Sequence, residues 1–432
     1  MDIRPTGGAL EHIQFEKPGK PAQNETAPQP AGDQVSLGTG QDQVVKKKWT
    51  FLHYGAGDNN LSQYIMRDAD EAESIGSDAN THLVSQLDMS SGTCKRYHLQ
   101  KDPAGVNGKM TSPVLQDMGS KVDMSDPKTL TDFLVWGQKN FPSDFVGVSI
   151  GDHGGGTAGA ISDDRDGGYG MMSPADLKKA FADAEAITGK KIDVLGFDCC
   201  LMANTEVAYE LKDVTNYMVA SEETEGGLGW PYNNVLNDKV LSSLQEALRH
   251  KINVDPKEFA TKIVADAEQV QGDLPTMSTI DMSKMGDVAA KVDGFAKAII
   301  ASEGSAGELK SLAGRTQSFG EFKDVYDFCQ KVAGSQNLKD ESLKTAAKDV
   351  MASLDKAILA NQHSNAYPGA HGLQIELPSW GGLSGKYQDL QFAKDTSWDE
   401  AMGKISKTEV PAEPSAPSAP PSGGYEFGFD EY

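Results

Sequence analysis

Short apolar runs that alternate with helical patterns are the feature that most constrains the fold of this chain. Five runs rich in Val, Ile, Leu and aromatic residues are predicted to be strands, at 49–54, 81–87, 145–150, 192–197 and 217–221. Helical patterns lie between them, at 61–75, 127–140, 173–187 and 203–211. Ser173 followed by Pro174 is typical of a helix start. This alternation predicts an α/β fold with a mostly parallel sheet flanked by helices.

The second half of the chain has a different pattern. Apolar residues recur every three or four positions from 285 to 299, which predicts a helix with one face in the core. Near the end, Leu373, Ile375 and Leu377 alternate with polar residues, as in a strand. We therefore predict an α/β core at 46–235, a mainly helical part at 236–365, and a strand within 366–380 that returns to the sheet.

The two ends of the chain differ in composition from the part between them. Residues 1–45 are rich in Gly, Pro, Gln, Asn and Asp, and residues 406–432 form a Pro/Ser/Ala stretch that closes on an acidic, aromatic tip. Segments of this kind bury too little apolar surface to offset the entropy lost on ordering. We predict a disordered leader, one domain over 46–405, and an acidic tail.

Charge and hydropathy exclude two classes of partner. The formal net charge is -23 and the pI about 4.7, without a cluster of basic residues, which argues against nucleic-acid binding. No window approaches the roughly twenty apolar residues needed to cross a bilayer. The N-terminus also has no apolar stretch of signal-peptide length, so the compartment stays open and the cytoplasm is favoured.

Cysteine usage points to chemistry rather than to structure. Only four cysteines occur in 432 residues, at positions 94, 199, 200 and 329, which is too few for a disulfide framework. Paired CxxC spacing of the zinc-binding kind is absent. The adjacent pair Cys199 and Cys200 is therefore the unusual feature, and it directly follows a predicted strand.

Two predicted strand ends carry reactive side chains. The strand at 145–150 runs into a glycine-rich turn that contains His153, and the strand at 192–197 runs into Asp198 and the cysteine pair. Functional groups of parallel sheets gather beyond the carboxyl ends of strands, so neighbouring strands would bring His153 and Cys200 together. A nearby His, or a helix N-terminus, activates a thiol as a nucleophile. The backbone N–H groups of Gly154 and Cys200 are candidates for an oxyanion hole.

These motifs resemble those of the clostripain-like cysteine peptidases, relatives of caspases and gingipains. In that family one hydrophobic strand ends in His-Gly and the next ends in Asp-Ala-Cys-Leu-Met. This chain has Asp152-His-Gly154 and Asp198-Cys-Cys-Leu-Met202. The resemblance spans about residues 48–380 and also covers the segments 49–52, 57–61, 220–224, 229–232 and 370–373. It implies a caspase-like sheet and endopeptidase activity.

The resemblance also implies roles for individual residues. The nucleophile falls on Cys200, because Cys199 occupies the place usually held by Ala, and the catalytic base falls on His153. Asp198 falls in the pocket for the residue before the scissile bond, which implies peptide or protein substrates cleaved after Arg or Lys. A carboxylate pairs well with a guanidinium. Ser221 and Glu222, after the fifth predicted strand, are further candidates for substrate binding, with a simple loop connection as the alternative.

Self-processing and calcium are two further implications. Members of the family often cut themselves in the loop after the catalytic His, and in residues 157–169 of this chain Arg165 is the only basic residue. We predict maturation after Arg165. The chemistry requires no cofactor and no metal ligands are predicted, but calcium dependence occurs in the family and this acidic loop offers oxygen ligands without an EF-hand pattern.

Four other interpretations stay open at this point. A caspase-like enzyme with acidic specificity would need basic residues lining its pocket in place of Asp198. A pseudoenzyme that recruits a partner is possible because a fold does not guarantee an activity. A third alternative makes Cys199, Cys200 and His153 metal ligands, although adjacent cysteines suit a tetrahedral site poorly. A fourth makes Asp198 a helix N-cap.

Overall fold

The structure is a computed structural model that describes residues 45–163, 170–232, 254–267, 274–378 and 382–406. Nearly all of the predicted leader, nearly all of the predicted tail, and the predicted processing residue Arg165 lie outside the described residues.

The strands and helices are numbered here in chain order over the described residues. The strands are β1 (Lys47–Gly57), β2 (Thr81–Met89), β3 (Cys94–His98), β4 (Val114–Gly119), β5 (Ser143–Gly151), β6 (Ala160–Ser162), β7 (Met171–Met172), β8 (Ile192–Asp198), β9 (Thr215–Ala220), β10 (Thr276–Asp281), β11 (Ser318–Phe319), β12 (Phe322–Asp324), β13 (Ile358–His363) and β14 (Gln374–Glu376). The helices are α1 (Ser62–Ile75), α2 (Pro127–Asn140), α3 (Pro174–Thr188), α4 (Thr205–Leu211), α5 (Pro256–Ala267), α6 (Met285–Ala301), α7 (Ala306–Gly314), α8 (Val325–Gly334), α9 (Glu341–Ala357), α10 (Gln391–Asp395) and α11 (Trp398–Ser406).

Over the described residues, the main sheet has nine strands in the order β13-β10-β9-β8-β5-β1-β2-β3-β4. The five strands predicted from the sequence form its centre, and each pairs in parallel with its neighbours there. Antiparallel pairs complete the sheet at both edges. The central strands are buried on both faces, which explains why they appear as continuous apolar runs. The predicted mostly parallel sheet flanked by helices is confirmed.

Helices cover both faces of this sheet. On one face α1 and α5 pack against residues such as Trp49 and Val194. On the other face α2, α3, α4, α6, α8 and α9 share one large apolar cluster. The start of α3 follows the predicted chemistry, because the Ser173 hydroxyl accepts a hydrogen bond of 3.2 Å from the Asp176 N–H and Pro174 occupies the first turn.

Two features of the second half differ from the prediction. β10 and β13, within the part predicted as mainly helical, extend the main sheet. β13 begins directly after α9, so the sequence has no turn signal between helix and strand. The strand predicted near 373–377 does form, as β14, but it pairs with β12 in a separate three-stranded sheet. It therefore does not return to the main sheet, and its polar residues Gln374 and Glu376 are buried against the region that follows β8.

Candidate active site

The ends of β5 and β8 lie side by side and fix the geometry of the site. Gly151 is paired with Asp198, and the Asp152 N–H donates to the Asp198 carbonyl oxygen at 3.3 Å. His153 and Cys200 therefore each lie two residues beyond a paired strand end. Both line one cavity of about 160 Å³. The structure thus brings together the two side chains that the sequence singled out.

The adjacent cysteines face different environments. Cys199 is 1% exposed, and its Sγ lies 3.4 Å from the Ile150 carbonyl oxygen in the core. Cys200 is half-buried, and its Sγ accepts the Glu225 N–H at 3.3 Å. Burial raises the pKa of both thiols, but at Cys200 the backbone N–H of Glu225 opposes the rise. Both residues line the cavity, but Cys199 is buried whereas the Cys200 thiol is partly accessible and receives a donor that stabilises its thiolate.

The turn after Cys200 has a strained backbone. Leu201 has φ of 66°, in the left-handed region that a branched side chain rarely adopts. Its N–H donates to the Glu223 carbonyl oxygen at 3.2 Å, and its carbonyl oxygen accepts the Gln374 side chain at 2.7 Å. Gln374 on β14 therefore supports the turn that presents Cys200. The sequence analysis missed this role because the two residues are far apart along the chain.

His153 is held through polar neighbours. Its Nε2 is 2.7 Å from the Asn60 amide oxygen, an arrangement in which Nε2 carries the proton and donates. The preceding residue, Asp152, accepts the Asn59 side-chain amide at 2.7 Å and the Ser162 backbone N–H. The loop before α1 thus orients the imidazole. Asn60 was not predicted, although it belongs to a segment, 57–61, that carries the family resemblance.

Gly154 allows the loop after β5 to approach the loop after β8 closely. A Cβ atom at this position would lie 2.3 Å from the Cys200 carbonyl oxygen and 2.9 Å from the Cys199 Cβ. Both distances are too short for any larger residue. Glycine is therefore required here, where its backbone approaches the cysteine turn.

Carboxyl groups form the acidic part of the cavity. Asp198 is 7% exposed, and one of its oxygens accepts the Trp230 N–H at 3.1 Å. Gly229, with φ of 53°, brings the backbone so close that a Cβ there would lie 2.7 Å from Asp198. Asp68 and Glu225 line the same cavity. Burial raises the pKa of Asp198 to about 6, although hydrogen bonds oppose the rise.

The residues that line the cavity can be compared with those that each alternative specificity would need. Over the described residues, no Lys or Arg lines the cavity, so the basic residues that an acidic specificity would need are not found there. Asp198 is also not the N-cap of the following helix. Asn204 has that role, since its side chain accepts the Val207 N–H at 3.1 Å at the start of α4.

Ser221 and Glu222 are buried away from the cavity. Ser221 is fully buried, and its hydroxyl is 2.8 Å from that of Thr276 on β10. Glu222 is 1% exposed and accepts the Gly372 N–H at 2.8 Å. The structure does not bring either side chain to the cavity that contains Cys200. Their contacts fit the alternative of a loop connection.

One acidic cluster has the donor set of a cation site. Asp58, Asp88 and Asp163 are buried, and one carboxylate oxygen from each lies within 4.8 Å of the others. Three carboxylates suit a hard divalent cation such as Ca²⁺. Asp163 belongs to the acidic loop after His153, which the sequence analysis connected with calcium. Neither cysteine belongs to a cluster of this kind among the described residues.

A parallel sheet whose adjacent strand ends present a histidine and a cysteine in one cavity defines a caspase-like cysteine peptidase. The sequence profile described as the clostripain family matches residues 53–404. This chain belongs to the clostripain family, whose members are cysteine endopeptidases. The predicted family, fold and enzyme class are confirmed.

Individual relatives agree with this assignment. Clostripain from Hathewaya histolytica is 23% identical over 403 residues, which cover 77% of this chain and 75% of that protein. A secreted C11 cysteine protease from Bacteroides thetaiotaomicron, solved with an irreversible peptide inhibitor, has a TM-score of 0.61 at 18% identity and covers 82% of this chain and 99% of its own. An inactive zymogen C11 protease from Parabacteroides distasonis has a TM-score of 0.60 at 21% identity, with the same coverage.

The comparisons also correct one expectation. The sequence favoured a cytoplasmic location because its N-terminus has no signal-peptide pattern. That expectation is wrong, because the similar structures include a secreted protease, which points to export. Within the described ranges, no helix is long and apolar enough to span a bilayer.

Proposed function

We propose that this cysteine endopeptidase cleaves peptide bonds after Arg or Lys, with Cys200 as nucleophile and His153 as base. One observation carries the proposal. A single cavity contains an accessible thiol, an imidazole and buried carboxyl groups, and its described lining has no cationic side chain. The carboxyl group of Asp198 would pair with the basic side chain before the scissile bond.

The reaction would proceed through an acyl-enzyme. The Cys200 Sγ attacks the carbonyl carbon of the scissile bond while His153 takes the thiol proton. The N–H groups of Gly154 and Cys200 would stabilise the oxyanion. Each such donor typically lowers the activation barrier by roughly 3–4 kcal/mol. His153 then protonates the leaving amine, and water hydrolyses the thioester. Because burial raises the pKa of Cys200, the free enzyme holds mainly the thiol at neutral pH, so proton transfer accompanies the attack.

Self-processing after Arg165 is a second part of the proposal. The loop that contains Arg165 joins β6 and β7, directly after the segment that holds His153. A protease that cleaves after Arg would recognise this residue in its own chain or in a second copy. The similar Parabacteroides distasonis protein was solved as an inactive zymogen, which supports maturation by cleavage in this family.

Calcium binding is a third part. Asp58, Asp88 and Asp163 would hold the ion, whose charge would offset the repulsion between three buried carboxylates. Its contribution would be structural, since it would fix the loop that follows His153. The proposed peptide-bond chemistry needs no metal.

The test is the initial rate of hydrolysis of matched Arg, Lys and Asp reporter peptides by the purified protein. Cys200→Ala should abolish cleavage of the basic reporters and leave the chain intact by mass spectrometry. Cys199→Ala is the matched control and should retain activity, because its side chain faces the core. If the wild type cuts none of the three reporters even with Ca²⁺, the proposed specificity fails. If Cys200→Ala still cuts, the proposed nucleophile is wrong.

A further inference from the structure

Three carboxyl groups from three parts of the chain meet at the acidic side of the cavity. Asp68 comes from α1, Asp198 from the end of β8, and Glu225 from the loop after β9. Asp68 is 4% and Asp198 7% exposed, and both carboxyl oxygens of Glu225 are buried. Only Asp198 has a counterpart in the family motif quoted above. The other two residues therefore need an explanation of their own.

Asp198 and Glu225 line the same cavity, and the carboxyl group of each acts on that of the other. Asp198 Oδ2 and both carboxyl oxygens of Glu225 are buried without a hydrogen-bond partner among the described residues. Two ionised carboxylates cannot hydrogen-bond to each other because neither has a donor, so a hydrogen bond within this pair would require a proton on one of them. Buried acid pairs of this kind share one proton because two like charges at this distance are costly. Such sharing would leave the carboxyl pair of the free enzyme with a single negative charge.

Among the described residues, no Lys or Arg lines the cavity beside the pair. The titratable groups that act on the three carboxyls are Glu71, Arg67, Cys200 and Tyr232. Arg67 is bound to Glu71 by an ion pair of 2.9 Å. Burial is the main cause that raises the pKa of Glu225, followed by the charge of Asp198. Burial likewise raises the pKa of Asp68.

We propose that Glu225 is a specificity-determining residue that shares a proton with Asp198 in the free enzyme and releases it when a basic side chain enters. This inference rests on the proposed function and deepens it. The entering guanidinium or ammonium keeps its own charge, the shared proton passes to solvent, and the pair binds the cation as two carboxylates. A cation within about 4–6 Å typically lowers a carboxyl pKa by roughly 1–3 units, which is enough to drive this release.

The position of Glu225 connects recognition with the nucleophile. Its backbone N–H donates to Cys200 Sγ at 3.3 Å, while its side chain contacts Asp198. The carboxylate of the neighbouring Glu223 instead accepts the Thr224 N–H at 2.7 Å and the Thr224 hydroxyl at 3.0 Å. Two acidic residues of one loop therefore serve different purposes, and Glu223 provides a matched control.

The kinetic test uses an Arg reporter over pH 5 to 8. Each kcat/KM is divided by the rate constant for alkylation of Cys200 by iodoacetamide, a neutral reagent, which corrects for titration of the thiol and His153. For wild type this ratio should rise with pH. For Glu225→Gln it should be nearly flat, with KM raised roughly tenfold or more at pH 8 and kcat changed less, and it should converge with wild type near pH 5. Glu223→Gln should follow wild type.

Calorimetry tests the proton directly. The Cys200→Ala protein is titrated with a blocked peptide that ends in arginine amide, at pH 6 and in two buffers of different ionisation enthalpy. We expect the Cys200→Ala protein to release about one proton on binding the peptide. The double variant that also carries Glu225→Gln should release none. Glu225→Asp, which keeps the acid but withdraws it from Asp198, is the second variant if the Gln variant does not fold.

The outcomes separate the two proposals. If Arg reporters are not cut and the peptide does not bind, the proposed function fails and this inference fails with it. If Arg reporters are cut but binding releases no proton, or Glu225→Gln keeps the wild-type pH profile, Glu225 has no part in recognition and only this inference is overturned.

Discussion

Two buried acidic regions of this protein deal with the same electrostatic cost in different ways. In the first turn of α4, Glu206 is fully buried, and its Oε1 accepts both the Glu376 N–H and the Tyr387 hydroxyl at 3.0 Å. In the cavity, Asp198 faces Glu225 and an open space. Burial raises the pKa in both regions, to about 8 at Glu206 and about 6 at Asp198. In the first region the chain itself supplies two donors to one carboxyl oxygen. In the second region we propose that a cation from the substrate fills the space beside the carboxyl groups.

The largest effect is expected at Glu206 and concerns stability. The pKa of Glu206 in the folded protein lies above its unfolded value of 4.5. Its protonated carboxyl group therefore contributes fully to folding stability below pH 4.5, and this contribution is lost as the pH rises towards 8. Between pH 5 and 9 the loss is roughly 4 kcal/mol. Glu206→Gln should therefore unfold with a weaker pH dependence, measured by urea denaturation at several pH values, while the exposed Glu303→Gln should match wild type. If the free energy of unfolding changed equally with pH in all three proteins, ionisation of Glu206 would not destabilise the fold.

The cavity should respond in activity instead. Asp198→Asn removes the carboxylate that pairs with the basic substrate side chain, so kcat/KM for Arg and Lys reporters should fall by roughly 30- to 1,000-fold, equivalent to about 2–4 kcal/mol. The melting temperature should not fall, since the variant removes a buried acid from a repulsive pair. If Asp198→Asn were unstable but cleaved the reporters at the wild-type rate once folded, Asp198 would have a structural role and not a role in substrate binding.

A third acidic region lies between these extremes. If Asp58, Asp88 and Asp163 hold calcium, saturating Ca²⁺ should stabilise the wild type by about 1–3 kcal/mol, measured as a shift in melting temperature. Asp163→Asn should lose most of this shift. Mg²⁺ at the same concentration is the control, because it demands a tighter octahedral geometry. No shift with Ca²⁺ for the wild type would remove the calcium proposal.

The smallest effect is expected at Gln374. Its amide donates to the Leu201 carbonyl oxygen at 2.7 Å and supports the strained turn after Cys200. Gln374→Ala should lower kcat by about tenfold, or roughly 1–1.5 kcal/mol, with little change in KM. Gln374→Glu, which lacks the donor but fills the same space, should behave like the alanine variant. A change in KM alone would mean that the turn is held without this contact.

The sequence was most informative where a feature is local. The five central strands are buried on both faces, so each appears as an apolar run, and the residues that follow two of them include His153 and Cys200. The resemblance to a family then separated Cys200 from Cys199, and the burial of Cys199 agrees with that choice.

The sequence was least informative where long-range contacts decide the outcome. In the sequence, Asp68 does not differ from other acidic residues of a helix, and Glu225 lies in a loop without a periodic pattern. Neither residue could therefore be predicted to lie beside Asp198 in the cavity. Alternation correctly predicted a strand at β14 but not its partner, because a period of two specifies faces and not neighbours. The contacts of Ser221 and Glu222 with β10 and Gly372 depend on the same kind of distant pairing.

The pairing of β5 with β8 has a consequence for a matured enzyme. His153 precedes the loop at 164–169 and Cys200 follows it, so a cut after Arg165 would leave the two residues on separate polypeptides. The parallel pairing of β5 with β8, from Gly147 and Val194 to Gly151 and Asp198, would then be an interface between two chains. The apolar cluster that packs against these strands would stabilise that interface. Two fragments, produced separately and mixed, should reconstitute one active centre.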